Sequence, residues 1–197
     1  PPAGAPVKLR TALRLGRASN LPTVWTNTLA GSVLAGATAF GAEFAVMLLA
    51  LSLFYTGGMF LNDAFDAQYD AAQRPERPIP SGEVRRGTVY GWGFGLMAAG
   101  VALLGVVGFA MGARTGLAPA LAGLALGATI TYYDWHHKGN VFSPVVMGLC
   151  RVLVYVAAAL CITRALPDAL WVGAALMLCY LIGLTYIAKQ ENLGKVE

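Results

Sequence analysis

The sequence predicts an all-α protein, a polytopic transmembrane helical bundle with six spans. Three observations lead there. Hydrophobic residues make up 57% of the 197 residues and charged residues only 12%, at a mean hydropathy of +0.60. A soluble domain carries about 25% charged residues, so too little polar side chain is present to cover a water-facing surface. Uncharged runs near the length needed to cross a bilayer recur along the chain. The charges between those runs alternate in density from one loop to the next.

A hydrocarbon core about 30 Å thick takes roughly 20 helical residues at 1.5 Å each. The first span is expected over Ala18 to Ala42 and the second over Phe44 to Asn62, with a turn around Gly41 and Glu43. Gly87 to Ala113 gives the third span and Thr115 to Tyr133 the fourth. Ser143 to Thr163, interrupted by Arg151, gives the fifth, and Ala169 to Ala188 the sixth. Gly91–Gly95, Gly108–Gly112 and Gly123–Gly127 have the GxxxG spacing that lets membrane helices approach closely, so they are expected as packing seams. None lies between a strand and a helix, which argues against a nucleotide-binding loop.

Lys8, Arg10, Arg14 and Arg17 precede the first span. Arg74, Arg77, Arg85 and Arg86 lie between the second and third, Lys138 between the fourth and fifth, and Lys189 and Lys195 after the sixth. The opposite side holds only Arg114 and Arg164, so the positive-inside rule places the N-terminus in the cytoplasm, with a prokaryotic plasma membrane the expected setting. In this context the net charge of +4 implies anionic membrane lipids and no nucleic acid. Cys150, Cys161 and Cys179 sit in apolar runs without metal spacing and are expected as small buried hydrophobes. The first residues lack the pattern of a cleaved signal peptide. Without an initiating Met, and with the chain stopping just after the sixth span, residues 1–197 are expected to be a single transmembrane domain from a longer protein.

The acidic residues gather on the basic side, chiefly in Asn62-Asp63-Ala64-Phe65-Asp66-Ala67-Gln68-Tyr69-Asp70. On a helix, Asn62, Asp66 and Asp70 share a face, with Asp63 on the adjoining strip. Several carboxylates at a helix C-terminus repel one another and oppose the helix dipole. A divalent cation removes both penalties, and hard oxygen donors suit Mg²⁺, which takes one or two carboxylates and fills its shell with water and phosphate. The bland alternative is a solvated acidic helix end paired with the arginines that follow. Those arginines lie in Arg74-Pro75-Glu76-Arg77-Pro78-Ile79-Pro80-Ser81-Gly82, where prolines stiffen the loop and hold Arg74 and Arg77 near the carboxylates. Guanidinium groups bind phosphate bidentately, so metal and arginines together describe a diphosphate site.

At these residues the sequence resembles the UbiA superfamily of intramembrane prenyltransferases. NDAFDAQYD followed by RPERPIPSG is similar to that family's first signature, NDxxDxxxD and an RPxRPxxSG-like loop. The resemblance implies an all-helical fold, typically with nine transmembrane helices around a cavity. It also implies Mg²⁺-dependent transfer of a prenyl group from a prenyl diphosphate to an aromatic or other lipophilic acceptor. Asn62, Asp66 and Asp70 fall on the metal–diphosphate positions, with Asp63 supporting them. The family's diphosphate-binding tyrosine and lysine fall on Tyr133 and Lys138, in the segment Tyr132-Tyr133-Asp134-Trp135-His136-His137-Lys138, at looser spacing. The family's second signature, a DxxxD after the sixth helix, should fall near Thr185–Asn192, where only Glu191 supplies a carboxylate. Either Glu191 serves alone at a second metal position, or Lys189 supplies positive charge directly, or catalysis is lost.

Arg151, about eight residues into the fifth span, would be costly against lipid and is expected to face a cavity, pairing with Asp134, a diphosphate or an anionic acceptor. A snorkelling or structurally paired arginine is the alternative. Asn27 is a weaker candidate for the same cavity. His136 and His137 are expected at the interface rather than on a metal. In the main hypothesis, Mg²⁺ on Asn62, Asp66 and Asp70, with Arg74, Arg77 and Lys138, stabilises the leaving diphosphate, while apolar walls keep water from the allylic cation. Two rivals stand beside it. A CDP-alcohol phosphotransferase would need an Asp-Gly and an Ala-Arg upstream, and Leu48 to Phe65 contains neither. The other is a non-catalytic UbiA-like scaffold or transporter component that binds a prenyl lipid.

Overall fold

A computed structural model describes residues 9–192, with side chains to residue 187. A short helix α1 (Leu9–Leu15) and a 3₁₀ turn (Ala18–Asn20) lead into α2 (Leu21–Leu34). The long helix α3 (Ala42–Phe65) runs almost directly into the short α4 (Ala67–Gln73). Then follow α5 (Arg86–Ala110), α6 (Ala118–His136), α7 (Ser143–Ile162) and α8 (Asp168–Asn192). No strand occurs among the described residues.

Local chemistry sets the ends of these helices. Pro22, Pro119 and Pro144 open α2, α6 and α7, where a missing N–H costs nothing and the fixed φ suits a first turn. Gly36 takes φ +95° just after α2, its N–H donating to the Val33 carbonyl and the Ala37 N–H to Ser32. Left-handed glycine ends a helix by satisfying its last carbonyls in this way. This overturns the expectation of one helix over Ala18 to Ala42: the apolar run continues, but the helix ends at Leu34 after 14 residues. At its other end Arg17, in the left-handed region at φ 42°, separates α1 from the 3₁₀ turn.

The second, third, fifth and sixth expected spans coincide, within a few residues, with α3, α5, α7 and residues 168–187 of α8, which are long and apolar enough to cross a membrane. α2 is shorter than the roughly 20 residues a bilayer takes. The fourth helix lies three residues later than expected, because Gly116 at φ +77° holds the chain in a turn before Pro119. That shift places Tyr133 and Asp134 in the last turn of α6 instead of in the following loop.

The core lies between α3, α5, α6 and α7. Met47, Leu51, Phe54 and Leu61 of α3 pack on Met97 and Leu104 of α5, Leu126 of α6, and Ala157 and Ala158 of α7. Close approach of α3 and α5 runs through Gly57, Gly93 and Gly100. A Cβ at Gly57 would lie 2.7 Å from the Gly93 carbonyl oxygen, and one at Gly100 would lie 2.8 Å from the Phe54 ring. Gly91 and Gly95 face open space on the other side of α5, so the expected Gly91–Gly95 seam is replaced by one two residues further round the helix. Gly123 does pack as expected, against Leu104 and Phe54. α2 seats Gly31 against the Tyr155 backbone of α7, and α8 adds Leu170 and Ala174 to that layer.

Helix direction alternates, so the 3₁₀ turn, the α3–α4 junction, the 74–85 loop and the α6–α7 turn meet at one end of the bundle. The opposite end is bound mainly through backbone groups, such as the Arg164 guanidinium on the Arg114 carbonyl.

Candidate functional site

At the charged end α3 continues into α4 through Asp66, whose φ of −78° and ψ of −4° keep the backbone nearly helical. The hydrogen-bond ladder survives: Asp66 N–H donates to Asn62, Asp70 N–H to Asp66, and Arg74 N–H to Asp70. Arg86, in the first turn of α5, donates through Nε to the Ala64 carbonyl at 2.7 Å, which caps α3 and ties the two helices together.

The carboxylates divide between three cations. Arg77 bridges Asp70 Oδ2 at 2.8 Å and Asp63 Oδ1 at 3.2 Å. Arg17 reaches Asp63 Oδ1 at 3.3 Å and donates to Asn62 Oδ1 at 3.4 Å. Lys138 Nζ lies 2.8 Å from Asp66 Oδ1 and 3.7 Å from the centre of the Tyr69 ring. Neighbouring His137 stacks on Tyr133 with ring centroids 5.1 Å apart, and its Nε2 lies 3.7 Å from Asp66 Oδ2. The carboxylate repulsion expected from the sequence is thus relieved by side chains of this chain. Asp70, at 2% relative exposure, is almost fully enclosed.

Among the residues named from sequence, Asn62, Asp63, Asp66, Asp70, Arg77 and Lys138 meet in this network. Tyr133 stands at its edge, its hydroxyl 3.9 Å from Met147 Sδ. Arg74 is exposed and its guanidinium makes no hydrogen bond among the described residues, since the backbone at Arg74 (φ −148°, ψ 63°) already turns away from α4. Arg151 is half-buried on α7 and forms no ion pair with Asp134 or with any other described residue. Glu191, in the last turns of α8, lies outside the residues whose side chains are described. His136 is exposed beside Tyr132 and Trp135, and Asn27 is half-buried on α2.

Two members of the site carry no sequence motif. Arg17 was legible only as one of several basic residues before the first expected span. Asp134 sits in the last turn of α6, 3% exposed, with Oδ1 accepting from Asn62 Nδ2 at 3.1 Å and Oδ2 without a partner. An outer clamp supports the site: Glu83 accepts from Thr11 at 3.0 Å and pairs with Arg14 at 3.1 Å, while Arg14 also donates to the Glu76 carbonyl.

Apolar helices that carry a buried acidic cluster and three convergent cations at one end define an integral membrane protein with a charged site at that end. Residues 24–192 match the family described as the UbiA prenyltransferase family, and the chain belongs to it. A digeranylgeranylglyceryl phosphate synthase of Methanopyrus kandleri is 34% identical over 149 residues, covering 72% of this chain and 51% of that protein. The synthase of the same name from Ignicoccus hospitalis is 36% identical over 126 residues, 64% of this chain and 38% of its own. The chain spans about half the length, or less, of these curated relatives. A solved structure described as giving insight into the biosynthesis of digeranylgeranylglyceryl phosphate synthase in membranes superposes with a TM-score of 0.78. It covers 94% of this chain and 64% of its own at 16% identity, which shows a shared fold.

Members of this family are generally Mg²⁺-dependent. The donors here fit that ion in kind: Asn62 and Asp66 offer hard oxygen ligands, and Asp134, which accepts from Asn62 through Oδ1, keeps a buried Oδ2 without a partner. No three His, Cys, Asp or Glu side chains converge as a metal cluster among the described residues. Mg²⁺ does not require one, since it commonly takes one or two carboxylates and completes its shell with water and substrate phosphate.

Proposed function

We propose that this chain forms the donor-binding part of an enzyme that transfers a prenyl group from a prenyl diphosphate to a lipophilic acceptor within the membrane. The observation that carries the reading is the convergence of Arg17, Arg77 and Lys138 on the Asn62–Asp70 segment at one end of an otherwise apolar bundle. The names of the curated relatives favour a glyceryl phosphate lipid as the acceptor.

Asn62, Asp66 and Asp70 would hold Mg²⁺, which supplies positive charge to the departing diphosphate. Lys138 and Arg77, bonded here to Asp66 and Asp70, would donate to the oxygens of a diphosphate bound beside those carboxylates as charge builds on the leaving group. Arg74, exposed at the loop entrance, attracts the diphosphate from solution, and Tyr133 walls the site beside His137. Glu191 would approach from α8 as a further metal ligand. Arg151, half-buried on α7 and without an ion pair among the described residues, would meet an anionic acceptor headgroup. The apolar walls beneath exclude water from the allylic carbon.

The arrangement of basic loops favours a cytoplasmic charged end, in a prokaryotic plasma membrane. With α2 and α6 inserted beside the four longer helices, the chain would make six crossings as one domain. The sequence near Glu191, with a single carboxylate, favours a second reading in which the chain binds a prenyl lipid without turning it over. Membranes containing the protein, incubated with radiolabelled prenyl diphosphates of several lengths and a glyceryl phosphate lipid, should form a labelled lipid that Asp66→Ala abolishes. Donor binding without product would support the second reading. Equal turnover by Asp66→Ala would remove the first.

A further inference from the structure

Asp63, Asp66 and Asp70 each have a cationic partner; Asp134, the remaining carboxylate of the site, has none among the described residues. It is 3% exposed, and one of its oxygens makes no hydrogen bond. An unmatched buried carboxylate is costly, so a site that keeps one requires an explanation. Its other oxygen is used: Asn62 Nδ2 donates to it at 3.1 Å across 72 residues of sequence. A carboxylate can only accept and a guanidinium can only donate. With Asp134 on one side and Arg17 on the other, the Asn62 amide therefore has a single orientation, nitrogen toward α6 and oxygen toward Arg17.

We propose that Asp134 is a positioning residue of the cation site: by accepting from the Asn62 amide nitrogen it turns the amide oxygen away from α6, where a divalent cation can take it. The idea rests on the Mg²⁺ reading above and extends it to a residue of α6 outside the acidic segment. Groups that orient a ligand side chain through its second polar atom are worth about 10–100-fold in metal affinity. The other groups facing Asp134 are Asp63 and Asp66 of α3 and its junction, Arg17 before the 3₁₀ turn, Tyr133 of α6 and Cys150 of α7. Arg17 is the only cation among them and is itself bonded to Asp63 and Asn62.

The test is Mn²⁺ titration of the purified full chain in nanodiscs, with inorganic pyrophosphate present, read by electron paramagnetic resonance. Asp134→Leu should weaken Mn²⁺ binding at least about tenfold with the thermal melt unchanged, and Asp134→Asn, whose amide can accept or donate and so leaves the Asn62 amide less firmly oriented, should fall between it and the unmodified protein. The reciprocal pair Asn62→Asp with Asp134→Asn restores the hydrogen bond with its partners exchanged and should recover most of the affinity. Gly95→Ala, on the open face of α5, should bind as the unmodified protein does. Unaltered affinity in Asp134→Leu, or failure of the reciprocal pair to recover it while the fold remains intact by thermal melt, overturns the inference alone. Absence of Mn²⁺ binding by the unmodified protein overturns the inference together with the magnesium reading.

Discussion

Lys138 Nζ stands 2.8 Å from Asp66 Oδ1, joining the turn after α6 to the junction of α3 and α4. The Tyr69 ring lies beneath the same ammonium at 3.7 Å, so the cation is held by a carboxylate and an aromatic face at once. Lys138 is more than one-third exposed. A pair so open to water contributes at most about 1 kcal/mol to folding, which points to ligand binding as its larger role. Lys138→Gln should leave thermal stability within about 1 kcal/mol. It should weaken prenyl diphosphate binding by about 1.5–3 kcal/mol, the usual worth of a hydrogen bond to a charged group. Equilibrium binding of an unreactive prenyl thiolodiphosphate checks the second expectation, and a melt in the same detergent checks the first.

Arg77 has the opposite character. Its partners Asp63 and Asp70 are 9% and 3% exposed at the side chain. Removing the guanidinium leaves two enclosed carboxylates facing each other, a change that costs about 3–5 kcal/mol for a buried pair. Arg77→Met is therefore expected to lower stability by that order, and adding Asp70→Asn should return part of the loss because one stranded charge disappears. A double-mutant cycle on unfolding free energies measures the coupling. Equal and additive losses in the two single variants would mean that the bridge carries no stability of its own.

The acidic segment was legible because the i, i+4 spacing of Asn62, Asp66 and Asp70 is a local property, and prolines around Arg77 leave the loop few places to go. Arg17 and Asp134 were not legible as partners of that segment. Their bonds to Asn62 span 45 and 72 residues, and no local pattern encodes which helices lie side by side. Hydropathy located the membrane-length helices but overran α2, since Gly36 ends it through a backbone angle while the side chains stay apolar. GxxxG spacing marked α5 as a close-packing helix without indicating its face; Gly93 and Gly100 face α3, whereas Gly91 and Gly95 do not. Arg74 and Arg77 looked equivalent in a stiff loop, yet only Arg77 turns inward.

The outer clamp should matter to the loop more than to the fold. Glu83 and Arg14 are 38% and 47% exposed at their side chains, so Glu83→Gln is expected to change global stability by less than about 1 kcal/mol. Its second bond, from the Thr11 hydroxyl, fixes α1 over the 74–85 loop. Loosening it should free the backbone at Arg85 and Arg86, where the loop enters α5 and trypsin can cut, since Arg74 and Arg77 are each followed by proline. Limited trypsin digestion of the detergent-solubilised protein, timed by intact mass, should show faster cleavage after those arginines in Glu83→Gln. Unchanged cleavage rates would mean that α1 does not restrain the loop.

The α3–α5 seam predicts a contrast between two glycines of identical chemistry. At Gly57 an added methyl meets the Gly93 carbonyl oxygen at 2.7 Å and Met97 Cγ at 2.9 Å. A carbonyl within a helix cannot swing aside, so Gly57→Ala must push the helices apart, and overpacking of this kind costs about 1–3 kcal/mol. Because Asn62 and Asp66 lie on the turns that follow, the displacement should carry through to the charged end and weaken diphosphate binding as well. At Gly95 nothing lies within 4 Å of an added Cβ. Gly95→Ala should accordingly be neutral or stabilise the helix by about 0.5–1 kcal/mol through reduced backbone freedom in the unfolded chain. Unfolding of the two variants in the same mixed micelles decides the matter: comparable stabilities would show that α3 and α5 are not in close backbone contact at Gly57.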